Sequence, residues 1–291
     1  MRTLELIVTP EDAGRTLGAL LRSRLHLSTH RIASLKFSNG IMLDDAVSHT
    51  DTRVQAGQVI RVLLRDSAAA LVPYDIPIHI PSRDEDLLIV DKPAPLAAIH
   101  GAQPDGHSLE NAIFAALGCP ETYIYRPVSR LDKGTSGLMP VALNAHAHDR
   151  MQRMLHTADY IREYLAVTEG APEADEGICR LPIGHADGVK RCISPDGKPA
   201  ATHYRVLQRA ANGRALIRLR LETGRTHQIR VHMQALGCPV AGDWLYGTPL
   251  QELPGRFALH SAYLAFTHPL TGEKLVFESI LPKELSVLLS I

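Results

Sequence analysis

Apolar positions along the chain change their period several times, and each change marks an element. Leu4 to Val8 is a short apolar run ended by Pro10, which predicts a strand. From Thr16 the spacing turns helical, with Leu17, Leu20, Leu21 and Leu25 in register. Ser28 and Thr29 stand where a cap opens a second helix over about residues 30–37. Asn39-Gly40 signals a turn into strand-like Ile41-Met42-Leu43, and a further strand is expected over Val59 to Leu64. Then the pattern lapses. Ala68 to Ala70 with Pro73, Pro77 and Pro81 predict a semi-rigid, extended connection.

Beyond that connection the elements resume. Asp86 to Val90 reads as a buried strand, and Ser108 caps a helix carrying Leu109, Ala112, Ile113 and Leu117. Leu138 to Leu143 is strand-like, although Pro140 predicts an edge or a bulge there. Asn144 caps a helix with Ala147, Met151, Met154 and Leu155 on one face. Tyr160 to Val167 alternates strictly, so Tyr160, Arg162 and Tyr164 share one face of a strand. Residues 182–200 are turn-rich and carry Lys190, Arg191 and Lys198, which fits a basic arm or a plain surface loop equally. Ala201 to Leu207 and Leu216 to Leu221 are expected to pair, with Ile217, Leu219 and Leu221 inward and Arg218 and Arg220 outward. Gly224 then breaks the strand and Thr226 caps a helix with Ile229, Met233 and Leu236, stopped by Gly237 and Pro239.

Charge changes the picture little. The 291 residues hold 31 basic and 31 acidic side chains, so no global field draws the protein to nucleic acid. A nucleic-acid partner, if the chain has one, must be met by local basic patches. One candidate lies between Asp12 and Asp44, where no acid occurs but Arg15, Arg22, Arg24, Arg31 and Lys36 do. Such a run forms a phosphate-facing surface or merely a solvated helical face. Four separated cysteines without a C-x-x-C pair indicate neither a disulfide framework nor zinc. The fifteen histidines include no i, i+4 helical pair, and no metal is expected. No G-x-x-x-x-G-K pattern precedes Gly134 to Gly137, so a triphosphate loop is not indicated. With no signal peptide and no apolar run long enough for a bilayer, a cytoplasmic protein is expected.

Two stretches carry candidate chemistry. Arg126-Pro127-Val128-Ser129-Arg130-Leu131-Asp132-Lys133-Gly134-Thr135-Ser136-Gly137 places one carboxylate between two cations in a loop bounded by Pro and Gly. Flanking cations favour the anion, which suits a nucleophile or a base. On these residues alone a solvated surface loop fits as well. Glu222 to His232 forms a strand-to-helix turn with Arg225 and Arg230, suited to a phosphate or a carboxylate, or to a purely structural turn.

Together these stretches resemble the RluA-type pseudouridine synthases. The Asp132 loop is similar to that family's H-R-L-D-K-x-T-S-G-L signature. Tyr160 to Val167 resembles its K-x-Y-x-A-x-V motif with Arg162 in the Lys position, and Thr223 to His232 resembles T-G-R-x-H-Q-I-R-V-H almost letter for letter. The likeness runs over about residues 74–291, through Gly237 to Asp243 and the closing Leu259-His260-Ser261. It implies an α+β fold, a mixed and largely antiparallel sheet flanked by helices and loops over residues 82–291. Residues 1–66 are similar to the S4 RNA-binding domain, a small α/β unit, which leaves 67–81 as a linker.

The resemblance implies isomerisation of uridine to pseudouridine in structured RNA, ribosomal RNA or transfer RNA, by a monomer with no cofactor. Asp132 is then the catalytic residue, Arg230 its ion-pair partner and Tyr164 the residue against the target base. Arg130 fills the stack that the flipped base vacates, and Arg225, Lys133, Arg31 and Lys36 contact RNA. Ser129, Gly134 and Leu143 depart from the family's usual His, Asp and Lys. A non-catalytic RNA-binding or ribosome-assembly factor has no need of the Asp132, Tyr164 and Arg230 trio. A carboxylate hydrolase lacks a second acid beside Asp132.

Overall fold

The computed structural model describes residues 2–25, 27, 29–37, 39–64, 71–99, 107–155 and 157–290. It divides into two compact units, Met1–Ala69 and Ala70–Ile291. The first runs β1 (Arg2–Ile7), α1 (Leu17–Ser23), α2 (Thr29–Phe37), β2 (Ile41–Leu43), β3 (Ala46–Val47) and β4 (Val59–Leu64). Its four strands form one sheet in the order β1-β4-β2-β3. Thr16 caps α1, its side chain accepting the Ala19 N–H at 3.3 Å. Leu17, Leu20 and Leu21 of that helix meet Ile32, Leu35, Ile60 and Val62 in a closed apolar core.

The second unit is built on β5 (His79–Arg83), β6 (Leu87–Lys92), α3 (Leu109–Ala116), β7 (Ser136–Ala142), α4 (Ala145–Met154), β8 (Ile161–Thr168) and β9 (Glu176–Cys179). A hairpin, β10 (Ile183–His185) and β11 (Arg191–Ile193), follows. Then come β12 (Thr202–Arg209), β13 (Ala215–Leu221), α5 (Gln228–Ala235), β14 (Leu259–Thr267), β15 (Lys274–Glu278) and α6 (Lys283–Ser286). Nine strands make one sheet, β5-β6-β7-β14-β8-β13-β12-β9, with β15 paired to β14. Only the β7–β14 contact is parallel; every other pair is antiparallel, as expected of this fold class.

Three expectations need correction. The connection drawn over 67–81 is not a free linker from Leu71 onward. Leu71, Tyr74, Ile76, Ile78 and Ile80 pack on the core of the second unit, and β5 begins at His79; residues 65–70 lie outside the description. Pro140 does not mark an edge, since β7 is buried throughout and lies between β6 and β14. The ladder to β14 stops at Gly137, and beside Pro140 the neighbour is the irregular segment 126–128, where Val128 N–H donates to Pro140 O at 2.9 Å. The missing proline N–H therefore falls where no strand asks for it. Thr226 does not cap α5. His227 takes that place at φ 58°, and the Gln228 side chain folds back instead, its Oε1 accepting from Thr223 Oγ1 at 2.8 Å and from Arg225 N–H at 2.9 Å.

Candidate active site

The Asp132 loop joins α3 to β7 and is fixed on several sides. Asp132 O accepts the Thr135 N–H at 3.1 Å, and Lys133 O accepts the Leu96 N–H at 3.0 Å. At the loop's end Gly137 sits at φ 111° with Ser261 of β14 so close that a Cβ there would lie 2.3 Å from Ser261 O. Only glycine fits that approach. The loop borders a cleft of about 580 Å³, within the range of about 300–1,000 Å³ usual for small-ligand sites.

One arginine organises this cleft. Arg230, from the first turn of α5, is buried and reaches two carboxylates. Its Nε and Nη2 donate to Asp243 Oδ2 and Oδ1 at 2.6 and 2.8 Å, and Nη1 donates to Asp132 Oδ2 at 3.1 Å. The rings of Phe257, Tyr246 and Trp244 surround the guanidinium, with centroids 4.2, 4.9 and 5.8 Å from Cζ. Burial works against its charge, yet Asp243 and Asp132 outweigh that and raise its pKa. Asp243 is fully enclosed, and its Oδ1 also accepts the N–H groups of Leu245 and Tyr246 at 3.0 and 3.3 Å. The fork–fork pair is thus rigid, and Asp132, 30% exposed at its side chain, takes an N–H of the third nitrogen, Nη1, at the cleft.

Tyr164 lines the same cleft from the middle of β8, between Leu219 of β13 and Ser261 of β14. Burial pushes its hydroxyl pKa up, while nearby Arg162 works the other way. His227 stands at the head of α5 with Nε2 3.9 Å from Asp132 Oδ2 and Nδ1 2.8 Å from the Tyr246 hydroxyl. Burial lowers its pKa, partly opposed by Asp132. Beneath the loop, the enclosed Lys92 donates from Nζ to Leu96 O, Pro93 O and Lys133 O at 2.7, 3.1 and 3.4 Å.

Residues 86–235 match the model of a family described as RNA pseudouridylate synthase. The chain is also 35% identical to a Ribosomal large subunit pseudouridine synthase D of Xanthomonas campestris pv. campestris, over 98% of this chain and 91% of that protein. It belongs to the RNA pseudouridylate synthase family. Within it the synthase is of the RluA type and isomerises uridine to pseudouridine in RNA. A second relative, the Uncharacterized RNA pseudouridine synthase YjbO of Bacillus subtilis, is 36% identical over 91% of this chain and 95% of its own. Among solved structures, Human RNA Pseudouridylate Synthase Domain Containing 1 is 28% identical with a TM-score of 0.58, covering 70% of this chain and 83% of that one.

Of the residues singled out in the synthase sequence, Arg130, Asp132, Lys133, Tyr164, Arg225 and Arg230 all line the cleft. Arg130 and Lys133 are exposed, and Arg225 is half-buried with Nε donating to Pro199 O at 3.0 Å. Lys36 is exposed on α2 of the other unit; Arg31 lies on the same helix, its side chain outside the description. Sequence reading missed Asp243, His227 and the three aromatic rings around Arg230. Asp243 and Tyr246 were visible only as letters following the third motif, because pairing with Arg230 depends on the fold.

Among the described residues no helix is long and apolar enough to cross a membrane. Asp84, Asp86 and His268 bring metal-capable atoms within 4.8 Å of one another, outside the cleft. That group is engaged within the protein. His268 Nε2 lies 3.2 Å from Asp84 Oδ2, and Asp84 Oδ1 accepts the N–H groups of Asp86 and Leu87, both at 2.7 Å.

Proposed function

We propose that this synthase acts on ribosomal RNA of the large subunit, with Asp132 as its catalytic residue. The reading is carried by one observation: a partly open carboxylate, gripped by an Arg230 already paired with Asp243, shares a nucleotide-sized cleft with Tyr164. The names of its bacterial relatives support the choice of RNA. The target uracil leaves the stack at a cost of a few kcal/mol and enters the cleft. Exposed Arg130 fills the gap it leaves, since a guanidinium plane stacks on bases. With Asp132 driving the step, the N1–C1′ bond breaks, the uracil turns, and C5 bonds to C1′. C5 gives up its proton and N1 gains one, so no oxidant or cofactor is consumed. Tyr164 packs against the base. Arg230 keeps Asp132 charged and oriented, and Lys133 and Arg225 meet the RNA at the rim.

The first unit serves as an S4-like RNA-binding domain, with Arg31 and Lys36 among its contacts, and the protein works as a cytoplasmic monomer. The sheet with two helices supports that role, as does the acid-free run from Arg15 to Lys36. The test is pseudouridine mapping of total RNA from cells with the intact gene, a deletion, and Asp132→Ala. Sites in large-subunit RNA that vanish on deletion and stay absent with Asp132→Ala are the expected result. If no site is lost and Asp132→Ala restores any growth defect of the deletion, a non-catalytic RNA-binding factor replaces this reading.

A further inference from the structure

Arg162 carries a charge for which the described residues supply no counter-ion. It lies on β8 two residues before Tyr164, is 9% exposed, and lines the cleft. Among the described residues no carboxylate pairs with it, and its Nε has no hydrogen-bond partner. Its neighbours are the Tyr160 ring, 5.4 Å from Cζ, and the turn that opens α5, where a Cβ on Gly224 would lie 3.4 Å from Nη1. The contrast with Arg230 is direct. Both cations face one cleft, but Arg230 is met by two carboxylates and Arg162 by none. An enclosed, unpaired guanidinium is strongly unfavourable, so its counter-charge is expected to arrive with the ligand.

We propose that Arg162, together with the Gly224–Thr226 turn, forms a phosphate subsite for one of the two phosphodiesters flanking the target uridine. The assignment rests on reading the cleft as the uridine site. Uracil is neutral, and its carbonyls satisfy an N–H without cancelling a charge. The phosphates are the charged parts of the nucleotide, and a guanidinium offers them two parallel N–H groups. The turn adds the N-terminal end of an eight-residue helix, which favours an anion. Arg162 thus sets where the backbone of the flipped nucleotide lies, and with it the position of the sugar over Asp132.

The uridine trinucleotide UpUpU tests this, because a short single strand needs no flipping. Its affinity and that of an analogue with neutral methylphosphonate linkages are measured against wild type, Arg162→Gln and Arg162→Lys. The ratio of charged to neutral affinity is read within each protein, which cancels any general loss of folded material. The ratio is expected to drop by about tenfold in Arg162→Gln, the scale of one charged hydrogen-bonded contact, and by less in Arg162→Lys. The neutral trimer should bind wild type and Arg162→Gln alike. A ratio unchanged in Arg162→Gln gives the phosphate to other cations and overturns the proposal. So does a loss of neutral-trimer affinity at constant ratio, which gives Arg162 to the base. The measurement needs no turnover, so it stands apart from the pseudouridine mapping that tests the choice of RNA and the role of Asp132.

Discussion

Gly134 and Phe257 occupy one space. A Cβ on Gly134 would stand 2.6 Å from Cε1 of Phe257, whose fully buried ring lies under the Arg230 guanidinium at 4.2 Å. The aromatic wall behind Arg230 therefore requires the glycine in the Asp132 loop. Restoring the family's usual residue, as Gly134→Asp, is expected to destabilise the fold by about 1–3 kcal/mol through overpacking. Shrinking the ring in the double variant Gly134→Asp, Phe257→Leu should recover much of that loss, a non-additivity typical of touching residues. Denaturant unfolding of the four proteins in the cycle measures it. Strictly additive losses would mean the two sites do not share their space.

Arg230 holds two carboxylates that differ in burial, and their removal should separate stability from activity. Asp243 is enclosed and bonded twice to Arg230, so Asp243→Ala leaves a buried cation without its partner. The expected cost is about 3–5 kcal/mol of stability, with activity lost alongside. Asp132 is partly open and takes one N–H, so Asp132→Asn should change stability by less than about 1 kcal/mol. Pseudouridine formation should nonetheless fall to background. Unfolding curves and turnover on the same preparations test the contrast; a large stability loss in Asp132→Asn would recast that residue as structural.

The sequence and the fold agree where local signals and side-chain period point the same way. Ser108 and Asn144 cap the helices they were expected to cap. The alternation over Tyr160 to Val167 put Arg162 and Tyr164 on one face, and in the fold both are buried. Asp132 and Arg230 were legible as a pair only through resemblance, being 98 positions apart in the chain. What stayed hidden depended on tertiary contact. Asp243 reads as one acid in a turn until Arg230 lies beside it, and Pro140 reads as the sign of an edge strand until β7 is seen between β6 and β14, with the proline just beyond the β14 ladder. Prolines at 73, 77 and 81 suggested a linker, yet the apolar residues between them, Tyr74, Ile76, Ile78 and Ile80, bind that segment to the core.

The Tyr246 hydroxyl ties His227 to the backbone of Arg191. It accepts the Arg191 N–H at 2.8 Å and shares a second hydrogen bond with His227 Nδ1, also at 2.8 Å. The other ring nitrogen, Nε2, lies 3.9 Å from Asp132 Oδ2. Tyr246 thereby acts on Asp132 through His227. Tyr246→Phe is expected to lower kcat by about three- to tenfold, the worth of one hydrogen bond, and His227→Ala by more. The double variant should be no worse than His227→Ala. Multiplying losses would show that the hydroxyl acts by a separate route.

Lys92 makes the synthase's stability depend on pH above neutrality. Burial pushes its pKa down to about 7, with Asp132 working the other way. In an unfolded chain lysine titrates near about 10.4. Between those values the unfolded chain binds more protons than the folded one, so stability rises with pH across the window and is lost as pH falls toward 7. The slope is on the order of 1.4 kcal/mol per pH unit at most. Lys92→Met removes the titrating group and also strips Leu96 O, Pro93 O and Lys133 O of a donor. The unfolding free energy of wild type relative to Lys92→Met is therefore expected to climb between pH 7.5 and 9.5, whatever its sign at the start. Because Lys133 O belongs to the Asp132 loop, the substitution should also depress kcat more than it raises KM. A difference that stays flat with pH would mean that the three carbonyl oxygens keep the ammonium protonated throughout, and that Lys92 braces the loop as a permanent cation.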